Sequence, residues 1–67
     1  MNRNKLRGRI VEKFEKQENF AHALGITPGT LSSKLKNKAE LKKNEILKWC
    51  ELLEIPIEEI PSYFFAD

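Results

Sequence analysis

The side chains in this chain that could do chemistry are few, and most of them are basic. Lys36, Asn37, Lys38, Lys42 and Lys43 crowd one short stretch. Ammonium groups so placed suit the phosphates of a nucleic acid, because neutralising a phosphate releases its counterions and favours binding. Nucleophilic and metal chemistry fit less well. Cys50 shares helical spacing with Ile46, Trp49 and Leu53, where a small buried hydrophobe is the simpler reading than a reactive thiol. His22 stands beside alanines with no His, Cys or carboxylate cluster at ligand spacing, so no metal is expected. There is no Gly-rich phosphate loop, no convincing Ser-His-acid set and no carboxylate pair with signs of a cleft. The sequence reads as a binding protein, not an enzyme, with no catalytic residue and no cofactor.

The charge distribution agrees with a phosphate partner. Residues 1–44 carry 11 Lys or Arg against 4 Glu, a net +7, whereas residues 45–67 carry 1 Lys against 6 acids, a net −5. The overall +2 therefore hides a basic half and an acidic half. At 67 residues, 40% hydrophobic and 33% charged, the chain can enclose one modest core, and a single domain over 1–67 is expected, with 61–67 as an aromatic tail. Cys50 is the only cysteine and no apolar run is long enough for a secretion signal or a membrane span, so a cytoplasmic protein with no membrane partner is expected.

Five short helices and no strands of any length account for the apolar pattern. Asn4 is the expected cap of a first helix over about Lys5 to Phe14, with Leu6, Ile10 and Phe14 inward and Arg7, Arg9 and Lys13 outward. In the second, Phe20, Ala21 and Leu24 share a face, and Gly25 follows where a left-handed residue must stop the helix. Thr27 can cap the third and Pro28 suits its first position; Leu31 and Leu35 sit one turn apart, and Asn37 can close it. Ile46, Trp49, Cys50 and Leu53 mark a fourth helix from about Lys43 to Leu53. Pro56 can open a short fifth through Ile60, with Ile57 and Ile60 on one face and Pro61 at its end.

The stretch Gln17 to Leu35 thus places two short helices around a tight Gly-containing turn, with the small Ala21 where they must cross closely. Gln17, Ala21, Gly25, Ile26, Thr27, Leu31 and Ser32 match the pattern of the lambda-repressor-like helix-turn-helix family. With KLRGRIVEKF before it and TLSSKLKNK, EILKWCELLEI and YFF after, nearly the whole chain resembles very small Cro-like proteins of phages and prophages. The resemblance implies an all-α, compact five-helix bundle with a central helix-turn-helix. It also implies a repressor that binds a palindromic double-stranded operator as a homodimer, as in a lysis–lysogeny switch.

Carried onto this sequence, the family's base-reading positions fall on Thr27, Pro28, Gly29, Ser32 and Ser33, and its phosphate-binding glutamine on Gln17. Thr30, Lys34, Lys36, Asn37, Lys38, Lys42 and Lys43 complete the phosphate-contact candidates. Pro28 and Gly29 offer no side-chain hydrogen bond, and the Thr and Ser hydroxyls make no bidentate base pair contact, so modest and partly shape-based specificity is expected. Lys34 departs from the pattern, which has an apolar residue there. Either the third helix is slightly rotated, or Lys34 buries its stem and lifts its ammonium to the surface.

Three adjacent aromatics, Tyr63, Phe64 and Phe65, close the chain. Phe64 or Phe65 can seal the core beside Ile57 and Ile60; otherwise the three are dimer-interface candidates. The weak base-reading turn leaves a second reading, an antirepressor that binds another phage regulator protein through the aromatic tail.

Overall fold

A computed structural model describes residues 2–36 and 41–65. The described chain is all-helical: α1 (Arg3–Phe14), α2 (Gln17–Leu24), α3 (Pro28–Lys36) and α4 (Lys43–Leu53), then a 3₁₀ turn (Ile57–Glu59) and a wider closing turn (Pro61–Phe65).

Helix α1 starts two residues earlier than expected. Its cap is Asn2, whose side-chain oxygen accepts from the Lys5 amide at 3.1 Å, not Asn4. The reason is tertiary, since the Asn2 amide donates to the Tyr63 carbonyl at 2.9 Å. The end of the chain thereby holds its beginning, and Lys5 adds to the clasp with Nζ 2.8 Å from Ser62 Oγ and 4.6 Å from the Tyr63 ring centre. Between α1 and α2 there is room only for Glu15 and Lys16. The turn is a γ-turn of the positive-φ form: Glu15 has φ 69° and ψ −46°, and the Lys16 amide donates to the Phe14 carbonyl at 2.7 Å.

Gly25 ends α2 with φ 76°, as its position predicts, and the Ile26 amide closes back on the Ala21 carbonyl at 3.0 Å. Thr27 Oγ1 accepts from the Thr30 amide at 3.1 Å, so α3 has the expected hydroxyl cap and opens on Pro28. The expected role of Asn37 at the far end of α3 lies outside the described residues.

The core draws on all four α-helices and the closing turn. Leu6, Ile10, Phe20, Ala21, Leu31, Leu35 and Leu53 are fully buried, and each large side chain among them contributes about 1.5–3 kcal/mol by leaving water. Aromatic rings form a row through it: Phe14 to Phe20 at 5.2 Å, Phe20 to Trp49 at 5.3 Å edge-on, and Trp49 to Phe64 at 6.3 Å. Cys50 is buried in the same core, and burial pushes its thiol above the ordinary value, as befits a packing residue.

Two expectations change at the C-terminal end. The short fifth helix is present behind Pro56 as a 3₁₀ helix, but Pro61 opens the closing turn instead of ending a helix, and Ile57 is 82% exposed. Ile55 reaches the core ahead of Pro56, so Ile57 is not needed there. The aromatic segment is no free tail: Tyr63 and Phe64 are buried in the chain's own core, and of the three aromatics only Phe65 is exposed.

Arg9 likewise does not face outward. Its Nε donates to the Leu53 carbonyl at 2.9 Å and its Nη2 to the Glu54 carbonyl at 2.8 Å, while Nη1 pairs with Glu12 at 2.6 Å. A guanidinium at the negative end of α4 satisfies carbonyls that have no partner within the helix.

Candidate nucleic-acid interface

Helices α2 and α3 pack against each other across the three residues Gly25, Ile26 and Thr27. Ala21 is fully buried, and its single methyl allows the two backbones to approach. Leu31 and Leu35 anchor the inner side of α3 in the core. With that side fixed, the opposite one is turned to solvent. Thr27, Pro28, Gly29, Thr30 and Ser33 are all exposed, and Ser32 is half-buried at the margin.

The first turn of α3 has its own hydrogen-bond pattern. Thr27 and Thr30 hydroxyls lie 2.8 Å apart, and Thr27 Oγ1 also accepts the Thr30 amide. One hydroxyl hydrogen serves that contact, so the pair retains one donor for an outside acceptor such as a phosphate or a base edge. Between them Gly29 presents bare backbone, and a Cβ built there would meet nothing within 4 Å. Nothing inside the protein requires glycine at this point.

Of the phosphate-contact candidates, Gln17 is half-buried at the first position of α2, next to an exposed Lys16. Lys36, Lys42 and Lys43 are exposed around the end of α3 and the start of α4. Asn37 and Lys38 lie outside the described residues. Arg3 was not anticipated here: its Nη1 donates to the Lys36 carbonyl at 3.2 Å, bringing a cation from α1 to the C-terminal end of α3. No spacing in the sequence signals a contact between positions so far apart.

Lys34 has an ion-pair partner. Its stem lies along a cleft of about 300 Å³ lined also by Leu24, Ile26 and Trp49, which agrees with burial of the stem. The ammonium reaches the partly exposed Glu45. It sits 2.8 Å from Glu45 Oε2, and both side chains are about three-quarters to two-thirds buried, at 24% and 32% exposure. Glu45 Oε1 in turn accepts the Lys42 amide at 3.2 Å. A carboxylate three residues into α4 thus caps its N-terminus and holds α3 against it. The Lys34 hydrogen bond, helped by the Lys42 amide, keeps the Glu45 carboxyl below its ordinary value despite the opposing effect of burial.

The charge division of the sequence is softened in space. Arg9 and Lys13 from the basic half reach Glu54 and the end of α4, the latter pair at 3.4 Å. Lys16, Lys36, Lys42 and Lys43 form no ion pair among the described residues. Also among the described residues, no group of three His, Cys, Asp or Glu side chains is arranged to hold a metal, and no helix is long and apolar enough to cross a membrane.

The chain belongs to a family described only as proteins of unknown function, DUF739, whose model matches residues 2–67. No curated protein matches it.

Proposed function

Proceeding from membership of a family with no assigned role, we propose that the protein is a small DNA-binding transcriptional regulator of the Cro-like repressor kind. It works in the cytoplasm as a homodimer on a palindromic operator, without catalysis or cofactor. One observation carries the reading: α3 is anchored by Leu31 and Leu35 while Thr27, Pro28, Gly29, Thr30 and Ser33 are all exposed. That is the disposition of a helix that enters the major groove by its first turn.

Affinity comes from phosphates and selectivity from the groove. Gln17 and Lys16 at the start of α2 face one backbone, and Lys36, Lys42 and Lys43 beyond α3 face the other. Ser33 and the Thr27–Thr30 pair supply single hydrogen bonds, and Thr methyls can meet a thymine methyl. With Pro28 and Gly29 bare, part of the selectivity falls to DNA shape.

Binding to duplex DNA across a salt series tests this. The logarithm of the affinity should fall linearly with the logarithm of the salt concentration, and Lys43→Ala should lower the slope by about one unit on every sequence alike. Absence of duplex binding at low salt contradicts the reading.

The same bare first turn, with Phe65 exposed at 69%, favours one other reading: an antirepressor that binds a second regulator protein. Binding to such a protein in place of DNA would select it.

A further inference from the structure

Arg3 opens α1, yet its guanidinium lies at the far end of α3, where Nη1 donates to the Lys36 carbonyl at 3.2 Å. It is exposed, and among the described residues it has neither an ion-pair partner nor a second hydrogen bond. A guanidinium carries its donors in a planar fork, so the edge turned away from that carbonyl stays open to an acceptor with two oxygens. The backbone of Arg3 is held from the opposite end of the chain. The Asn2 amide donates to the Tyr63 carbonyl at 2.9 Å, the Asn2 side chain caps α1, and Lys5 Nζ reaches Ser62 Oγ at 2.8 Å. Arg3 stands between these two anchored residues.

We propose that Arg3 is a contact to a DNA backbone phosphate at the edge of the interface, preset by the closing turn through Asn2 and Tyr63. This rests on the DNA-binding reading and deepens it by giving α1 and the C-terminal turn a part in the site. The nine residues of α3 span roughly 13 Å at about 1.5 Å per residue, whereas the major groove is only about 8.5 Å deep. Entering by its first turn, the helix leaves its last turn at the level of the phosphates. That end is electrically wrong for them, because the unpaired carbonyls of a helix C-terminus carry about half a negative charge. Arg3 covers one of those carbonyls and, with Lys36 beside it, reverses the sign.

A cap on α3 and a contact to phosphate are separable roles for the same side chain. Loss of a cap is read in the melting point, and loss of a neutralised phosphate in the salt slope of binding. Asn2 acts as a positioning residue: it fixes where α1 starts, and so where Arg3 emerges. By linkage, DNA should tighten the clasp between the two chain ends by the same factor that the clasp tightens DNA binding.

Fluorescence anisotropy of a labelled duplex across a salt series, run below the lowest melting transition of the proteins compared, is the test. Arg3→Ala should weaken binding to every sequence alike and lower the salt slope by about one unit. Arg3→Lys should keep the slope and still weaken binding severalfold, since an ammonium lacks the fork that holds the carbonyl and a phosphate together. Asn2→Ala should weaken binding severalfold in the native background and add nothing to Arg3→Ala, the sign that Asn2 acts through Arg3. Arg3→Ala with the native slope and a lowered melting point would make Arg3 a helix cap only and overturn the contact. Equal losses from Asn2→Ala in both backgrounds would overturn the positioning by the closing turn. A native chain that binds no duplex at low salt fails the DNA-binding reading and takes this inference with it. A native chain that binds, with every variant binding alike, removes this inference alone.

Discussion

Lys34 Nζ stands 2.8 Å from Glu45 Oε2, so the one cation on α3 whose stem is packed inside the fold is neutralised by the residue that caps α4. The pair fixes the helix proposed to enter DNA against the helix behind it. It should also keep Lys34 from serving as a phosphate contact. Its removal should therefore act on stability and not on the salt slope of DNA binding.

The pH dependence has a definite sign. The folded state holds the Glu45 carboxyl below its ordinary value of 4.5, so its contribution to stability is complete above that value and is lost as pH falls through the lower folded one. Compared with the native chain, Glu45→Gln should be less stable by about 1 kcal/mol at neutral pH, with the gap closing as pH falls below the ordinary value of 4.5. Thermal melts of both proteins across that range check it. A gap that stays constant with pH would mean that ionisation of Glu45 contributes nothing.

Gly8 and Gly29 are both helical, and a Cβ at either meets nothing within 4 Å. Alanine at each should raise stability by about 0.5–1 kcal/mol. Their effects on DNA should differ. Gly29 lies on the exposed first turn of α3, so Gly29→Ala should weaken duplex binding severalfold in the same preparation whose melting point rises, while Gly8→Ala should leave binding unchanged. Equal binding by both variants would argue that no DNA backbone or base edge approaches Gly29.

Glu15 carries a γ-turn conformation that L side chains adopt at a cost, with φ 69°. Glu15→Gly relieves it at the expense of some chain entropy and should stabilise the fold by about 1 kcal/mol. A chemical denaturation curve shifted to lower denaturant would contradict this.

Ala21 is fully buried, and Ala21→Leu should force α2 and α3 apart at a cost of about 1–3 kcal/mol. Amide exchange would read the change, with protection lost first in α3. A variant as stable as the native chain, with α3 protected, would show that the crossing has slack.

Much of this was legible because it is local. Gly25, Thr27 and Pro28 act on backbone within a turn of themselves, so the end of α2 and the start of α3 follow from residue chemistry. The stripe through Trp49, Cys50 and Leu53 placed α4 at its observed bounds. What was not legible depends on partners distant in the chain. Asn2 is the cap in place of Asn4 because Tyr63 holds its amide, and Arg9 turns inward to carbonyls at Leu53 and Glu54. Lys34 finds Glu45 across the connection between α3 and α4. Adjacency also hides orientation: Tyr63, Phe64 and Phe65 are equally apolar in sequence, and only the closing turn decides that the first two pack inward and the third does not. The dimer role expected of all three is therefore open to Phe65 alone among them.

Selection from a random duplex library with the purified chain, at near-physiological salt so that general phosphate binding is suppressed, tests sequence-specific DNA binding most directly. The account predicts enrichment of an inverted repeat whose half-sites are centred about one helical turn apart. A pool that stays random, with only salt-sensitive retention, would contradict it.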